Sequence, residues 1–184
     1  MKSDSLLLIK PAPSFDEPVE MLEACHERIA AECATLMKLA AHLPSHGADT
    51  QAQQAARNIM RYFDIAAPHH HADEEQDLFP VLVEISQHQC SPVGERIASL
   101  LDEHRALEAS WTQLRTVLAD IAEGKTRLLE PVGVSDFAGA YRAHIAQEES
   151  QIFPFAEACL DRQQLVRLSA AMVARRTITT VTPQ

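Results

Sequence analysis

The chain has 184 residues, which is enough for one domain with a substantial apolar core. Hydrophobic residues make up 46 % of it and glycine is scarce, so disorder is excluded and helix is favoured. The formal net charge of −10 argues against nucleic acid and anionic lipid as partners, because both are bound through surfaces rich in lysine and arginine.

The cysteines indicate a reducing compartment. Cys25 and Cys33 fall on one predicted helix, about 12 Å apart along its axis, which is too far for a disulfide. No two cysteines have the CxxC spacing. We therefore expect reduced thiols in a cytoplasmic protein. The apolar run Leu6 to Ile9 is too short for a signal peptide or a membrane span, and no other stretch reaches membrane length.

The first predicted helix follows an N-terminal arm, residues 1–17, that has no helical period. This helix begins near residue 18 and ends at Pro44, Ser45 and Gly47. Its inward positions are spaced 4, 3, 4, 3, which is typical of a bundle helix. They are Leu22, His26, Ile29, Cys33, Leu36, Ala40 and Leu43.

The second and third helices repeat this layout. The second begins near Asp49 or Thr50, either of which can cap it, and Pro68 predicts a kink within it. The third starts at Ser91-Pro92 and ends at Gly124. Its inward positions have the same spacing as those of the first helix and are Leu100, His104, Leu107, Trp111, Leu114, Leu118 and Ile121.

The fourth helix follows a connection rich in breakers at residues 131–135. It carries Phe137, Tyr141, His144, Glu148 and Ile152. Residues 161–184 are predicted to form a short C-terminal helix and a tail. Two long helices joined by a short loop, twice over, predict an all-α, up-down-up-down four-helix bundle over residues 18–160.

The two halves of the bundle repeat each other in sequence. Helices one and three align with an offset of 78 residues, which places His26 on His104. Helices two and four align with an offset of 74, which places the segment from His70 to Glu74 on the segment from His144 to Glu148. A duplicated helix pair predicts approximate two-fold symmetry, and a bound group at the centre of similar symmetry.

Each helix pair offers one inward histidine and one His-x-x-x-Glu, whose two side chains share a helical face. Six polar side chains therefore converge inside the bundle: His26, His70, Glu74, His104, His144 and Glu148. Unpaired buried carboxylates are costly, and a metal bound to all six groups removes that cost. Imidazole with carboxylate suits iron, with zinc and manganese as less specific alternatives.

The number of donors predicts two metals. If Glu74 and Glu148 each bridge both metals and each metal takes two histidines, a bridging oxo or hydroxo group completes five ligands per metal. An octahedral iron then keeps about one open position. O2, NO or peroxide can bind there.

Three consecutive histidines at 69–71 leave an alternative on the second helix, because His71 with Glu75 is a competing i, i+4 pair. The repeat aligns His71 with the apolar Ile145, so we prefer His70 and Glu74 as the ligands. Glu75 and its repeat counterpart Glu149 then lie about 100° round the helix. They are partners of the ligands or surface charges.

This order of residues resembles the HHE cation-binding domains of the hemerythrin family over about residues 18–160. The resemblance implies a four-helix bundle with an oxo-bridged di-iron centre that reacts with O2 or other small oxidants. The oxygen-carrying hemerythrins have a fifth histidine four residues after the histidine of the third helix, where this chain has Glu108. Four histidines are similar to the centre of di-iron proteins that repair iron–sulfur centres damaged by nitric oxide.

We therefore expect a non-heme di-iron protein that binds or reacts with O2, NO or peroxide, in oxidative or nitrosative stress or in iron-centre repair. Whether it turns over a substrate as an enzyme is left open. The alternative is a metal or oxygen sensor that signals to a protein partner. A ferritin-like carboxylate oxidase needs two copies of Glu-x-x-His, and only the segment from Glu23 to His26 fits.

Overall fold

The structure, a computed structural model, describes residues 14–125 and 128–179. This part of the chain is helical almost throughout and has no strand, so the predicted all-α class is confirmed. Its helical runs are α1 Pro18–His46, α2 50–88, α3 Val93–Ala122, α4 131–159 and α5 Arg162–Thr179. Most of the predicted arm (1–13) and the end of the tail (180–184) lie outside the described residues. The C-terminal helix α5 is longer than expected, at 18 residues.

Local sequence signals set the ends of the helices. The Asp49 carboxylate accepts the N–H of Ala52 at 2.8 Å and caps α2, as predicted. Gly47 ends α1 with φ 67°, and its N–H donates to the carbonyl of Leu43. Gly124 follows α3 with φ 74°. Both angles lie in the left-handed region, which glycine adopts without a Cβ clash.

Helices α2 and α4 pass through prolines by way of π-helical turns. In α2 the turns are Tyr62–Ala66 and Glu74–Leu78, and in α4 the turn is Glu148–Ile152. Each is followed within two residues by a proline, at Pro68, Pro80 and Pro154. Proline has no N–H and its ring clashes with the carbonyl four residues back. A turn whose N–H groups bond five residues back is wider and accommodates the ring. The kink predicted at Pro68 therefore takes the form of a widened turn.

The first four helices pack as a helical bundle in which α1 and α3 each lie against both α2 and α4. Two apolar clusters fill it. One contains Ile59, Phe63, Trp111 and Phe137. The other contains Leu22, Phe79, Leu100 and Phe153. Each large side chain buried in them stabilises the fold by about 1.5–3 kcal/mol. No helix in the described part of the chain is long and apolar enough to cross a membrane.

Helix α5 docks on α1 and α2 through buried Leu168 and Met172 and through a buried ion pair. Asp73 is fully buried between the metal-ligand candidates of α2. Its carboxylate accepts a hydrogen bond from Arg175 and one of 2.7 Å from Arg176. This pair ties the C-terminal helix directly to the segment of α2 that carries His70 and Glu74.

Removing the buried partner of this ion pair should be costly. We expect Asp73→Ala to lower the free energy of unfolding of the metal-free protein by about 1–3 kcal/mol, because Arg176 loses its carboxylate partner while Arg175 keeps Asp77. Urea denaturation followed by circular dichroism measures this change. Glu157→Ala, which removes an exposed carboxylate from α4, is the control and should change little. A loss for Asp73→Ala no larger than that of the control would contradict the assigned role.

Candidate metal centre

The structure brings together all six side chains that the sequence pattern selects. They lie between the two apolar clusters and come from α1, α2, α3 and α4. None is more than 3 % exposed. They are His26, His70, Glu74, His104, His144 and Glu148.

The π turns position the two carboxylates by the same means in both halves. Glu74 is the first residue of one turn and Glu148 of another. Each turn also leads to a phenylalanine that stacks on an inward histidine of the other helix pair. Phe79 lies over His104 with ring centroids 6.0 Å apart, and Phe153 lies over His26 at 5.1 Å. The phenylalanine of the Phe-Pro that follows each acidic pair thus packs against the face of an imidazole ring.

The Glu74 carboxylate faces histidines on both sides of the bundle. Its Oε1 lies 3.5 Å from Nε2 of His70 and 4.0 Å from Nε2 of His26. Its Oε2 lies 3.6 Å from Nε2 of His104. One carboxylate therefore spans two groups of imidazoles.

The Glu148 carboxylate does the same from the opposite side. Its Oε2 lies 3.1 Å from Nε2 of His26. Its Oε1 lies 3.2 Å from Nε2 of His144 and 3.8 Å from Nε2 of His104. The Nε2 atoms of His104 and His144 are 3.0 Å apart. Both carboxylates thus divide their oxygens between the His26/His70 pair and the His104/His144 pair.

The Nδ1 atoms of three of the imidazoles contact carboxylates that do not belong to the six candidate ligands. A ligating histidine commonly donates its second ring N–H to a carboxylate, which fixes the tautomer and leaves the other nitrogen free for a metal. The three contacts are His26 Nδ1 to Glu149 at 3.1 Å, His104 Nδ1 to Glu75 at 2.6 Å and His144 Nδ1 to Glu103 at 3.0 Å. The fourth, Nδ1 of His70, is buried and has no hydrogen-bond partner among the described residues.

Sequence reasoning missed Glu103. Its carboxylate also accepts the side-chain amide of Gln147 at 3.2 Å, and Arg96 in turn donates to Gln147 at 2.7 Å. Glu103 directly precedes His104, which is its only local signal. The repeat gives no hint, because the counterpart of Glu103 in the first half is Cys25.

His71 is close to the centre as well, so His70 and His71 are not alternatives. His70 lies against His26, with ring centroids 4.8 Å apart. A ring nitrogen of His71 lies within 4.8 Å of ring nitrogens of both His104 and His144. The rival carboxylate Glu75 is the hydrogen-bond partner of His104. The structure therefore brings both histidines to the centre, with Glu75 as a hydrogen-bond partner of His104.

The electrostatics of the centre follow from its burial. Burial and the nearby Glu148 carboxylate raise the pKa of Glu74 well above its ordinary value. Burial also opposes ionisation of Glu148, but the surrounding imidazoles outweigh it and hold that pKa well below its ordinary value. Burial lowers the pKa of His70 well below its usual range. At His144 burial acts in the same direction, but Glu148 and Glu103 outweigh it, so the pKa is raised.

The residues present fit a bound metal. Within the described residues, seven buried side-chain atoms of the centre have no hydrogen-bond partner: His26 Nε2, His70 Nδ1, His71 Nε2 and both oxygens of Glu74 and Glu148. Buried polar groups are normally paired, and leaving charged ones unpaired is expensive. A cation between the carboxylates satisfies the oxygens and inward nitrogens together. Imidazole and carboxylate donors suit iron, manganese or zinc.

Fold and site together define a helical-bundle protein with a buried histidine–carboxylate cluster for a metal cation. The family model described as hemerythrin HHE cation binding domain matches residues 17–156, and the chain belongs to this family. The chain is also 32 % identical over 165 residues to an uncharacterized protein of Haemophilus influenzae, and the match covers 90 % of this chain and 93 % of that protein. The resemblance seen in the sequence is thus confirmed for the family.

The Glu103 carboxylate, which contacts Nδ1 of His144, should increase the affinity of the centre for metal. We expect Glu103→Ala to weaken zinc binding by about 10–100-fold, because the imidazole loses the group that orients it and raises its basicity. Glu108→Ala is the matched control, since Glu108 is an exposed glutamate on the same helix. Competition with a chromophoric chelator measures both affinities. Equal affinities would show that the contact between Glu103 and His144 does not support metal binding.

Metal binding should also strengthen as pH rises. The pKa of Glu74 is raised and so is that of His144, so both groups keep protons in the metal-free protein at a higher pH than ordinary residues do. A metal must displace these protons. Zinc affinity is therefore expected to rise from about pH 6 to about pH 8, with proton release that is larger at the lower pH. An affinity independent of pH over this range would contradict the assignment.

Proposed function

We propose that the protein is a non-heme di-iron protein that binds or reacts with O2, NO or peroxide at this centre. The division of each buried carboxylate between two pairs of histidines carries the proposal. A single metal on one side would leave the far oxygens of Glu74 and Glu148 unpaired. Two ions held between both carboxylates would use every oxygen, and an oxo or hydroxo group would complete the proposed centre.

The side chains of the bundle hold and orient the metals, and the irons supply redox chemistry when bound. Glu75, Glu103 and Glu149 keep the Nδ1 atoms protonated, so that the Nε2 lone pairs point inward. The apolar clusters on both sides exclude water and larger solutes from the centre. A small ligand or oxidant fits this enclosure better than an organic substrate does.

A cavity of about 300 Å³ lies beside the centre. His71 and His104 line its inner end, and Phe63, Trp111 and Tyr141 contribute aromatic walls. Polar and apolar groups contribute about equally to its lining, and its size admits a diatomic gas or peroxide. The proposal includes the up-down-up-down order of α1 to α4, a cytoplasmic location and a role in oxidative or nitrosative stress or in iron-centre repair.

A sensor without turnover is a second candidate, favoured by the attachment of α5 to the centre. Asp73 lies between His70 and Glu74 in the chain and is bound by Arg175 and Arg176 of α5. A change at the metal that shifts this segment of α2 also shifts α5. The outer face of α5 exposes valine side chains on which a partner protein can dock, Val166 and Val173.

Metal analysis and optical spectra of the aerobically purified protein test the proposal. We expect about two irons per chain, with oxo-to-iron charge-transfer bands. His144→Ala should lower iron occupancy, because it removes a ligand candidate, whereas His88→Ala should not, because His88 is exposed at the end of α2. Equal occupancy in the two variants would contradict the ligand assignment. A single zinc ion in wild type would exclude the di-iron centre.

The same iron-loaded protein separates turnover from sensing. Consumption of NO or peroxide that His104→Ala abolishes indicates a reactive centre. A lack of consumption, together with iron-dependent protection of α5 from proteolysis, favours the sensor. If the protein neither consumes NO or peroxide nor is stabilised by iron, both functions are contradicted.

A further inference from the structure

We propose that His71 is a fifth histidine ligand of this centre, on the side of His104 and His144. The inference rests on the proposed function, because it needs a centre that holds two metals. It adds a ligand that the four-histidine pattern does not contain, and it makes the two metal positions inequivalent.

The first observation is an unsatisfied nitrogen. Nε2 of His71 is buried and has no hydrogen-bond partner among the described residues. A ring nitrogen of His71 lies within 4.8 Å of ring nitrogens of His104 and His144, so three imidazoles surround one small volume. An unprotonated imidazole nitrogen that has no hydrogen-bond partner offers its lone pair to a metal.

The second observation comes from the internal repeat. Two similar cavities flank the centre, with volumes of about 300 Å³ and 280 Å³. In the first, His71, Glu75 and Trp111 line the wall. The second is lined by their repeat counterparts Ile145, Glu149 and Cys33. The two halves thus differ where one has an imidazole and the other a half-buried aliphatic side chain.

The rings of His71 and His104 lie nearly parallel, with an interplanar angle of 12° and centroids 4.0 Å apart. Two imidazoles that bind one metal must each hold it in their own ring plane. Ligation therefore requires the His71 ring to tilt away from the stack. The cavity that His71 lines gives the ring room to do so, because its wall also includes the small side chains of Ala67 and Ala72.

A fifth histidine decides which metal position stays open. With His71 bound, three imidazoles on the side of His104 and His144, two carboxylate oxygens and a bridging group would complete six ligands for that metal. On the side of His26 and His70, two imidazoles leave one position free. The exogenous ligand is therefore expected at the His26/His70 metal, on the side of the second cavity, whose wall includes Glu149, the hydrogen-bond partner of His26.

Cobalt(II) titration of the metal-free protein, followed by visible absorption, tests this assignment. We expect wild type to bind two equivalents and His71→Ile to bind one of them at least about tenfold more weakly. The cobalt bands of the variant should also intensify, because loss of a ligand lowers the coordination number. Ile145→Val is the matched control in the other half, and it should keep both affinities and the wild-type spectrum.

The swapped variant His71→Ile/Ile145→His places the only fifth histidine in the other half. It should recover part of the affinity lost in His71→Ile. Two equivalents bound by His71→Ile with wild-type affinity and spectrum would overturn the role of His71 while leaving the di-metal centre intact. Fewer than two equivalents in wild type would overturn the proposed function, and this inference with it.

Urea denaturation of the metal-free variants separates ligation from packing. If the ring of His71 serves only to stack on His104, His71→Ile destabilises the metal-free fold and leaves cobalt affinity unchanged. If it is a ligand, the variant is at least as stable as wild type without metal, because a buried unpaired nitrogen has been removed. A clear loss of metal-free stability with unchanged metal binding therefore counts against the proposal.

Discussion

The whole molecule depends on the burial of two carboxylates, Glu74 and Glu148, at the middle of an apolar bundle. None of their four oxygens has a hydrogen-bond partner in the described part of the chain. Taken out of water with no cation, such groups destabilise the fold by several kcal/mol. The two apolar clusters on either side must offset this cost until a metal binds. Metal binding and the stability of the fold are therefore coupled.

The backbone is interrupted at these same residues. Each of the two carboxylates begins a π turn, and each turn is followed by a phenylalanine and a proline. The widened turn accommodates the proline and turns the helix so that Phe79 and Phe153 stack on the inward histidines of the opposite helix pair. A regular α-helix of the same sequence would leave these rings without their support. The π turns therefore position side chains around the centre in addition to accommodating the prolines.

Helical periodicity explains which parts of the centre could be predicted from sequence. His26 and His104 stand in an unbroken apolar seam, and each His-x-x-x-Glu shares one face over a single turn, so local spacing suffices to predict both. His71 could not be found in this way, because it lies about 100° round the helix from His70, and the segment that carries both is regular α-helix. Glu103 meets His144, and Asp73 meets Arg176, across helices far apart in sequence, and no local pattern records such contacts.

The departures from two-fold symmetry at the following positions favour metal retention on the side of His104 and His144. Cys25 stands at the repeat position of Glu103, and among the described residues Nδ1 of His70 has no counterpart of the carboxylate that contacts His144. His71 likewise has only Ile145 as its counterpart. A carboxylate behind an imidazole raises its basicity and fixes its orientation. Under the proposed function, the His104/His144 position is therefore the firmly held one, and the His26/His70 position is more weakly held and more open. Duplication supplies two similar halves, and divergence at two pairs of positions makes them unequal. Under the proposed function, one half would retain its metal and the other would have room to bind a small molecule.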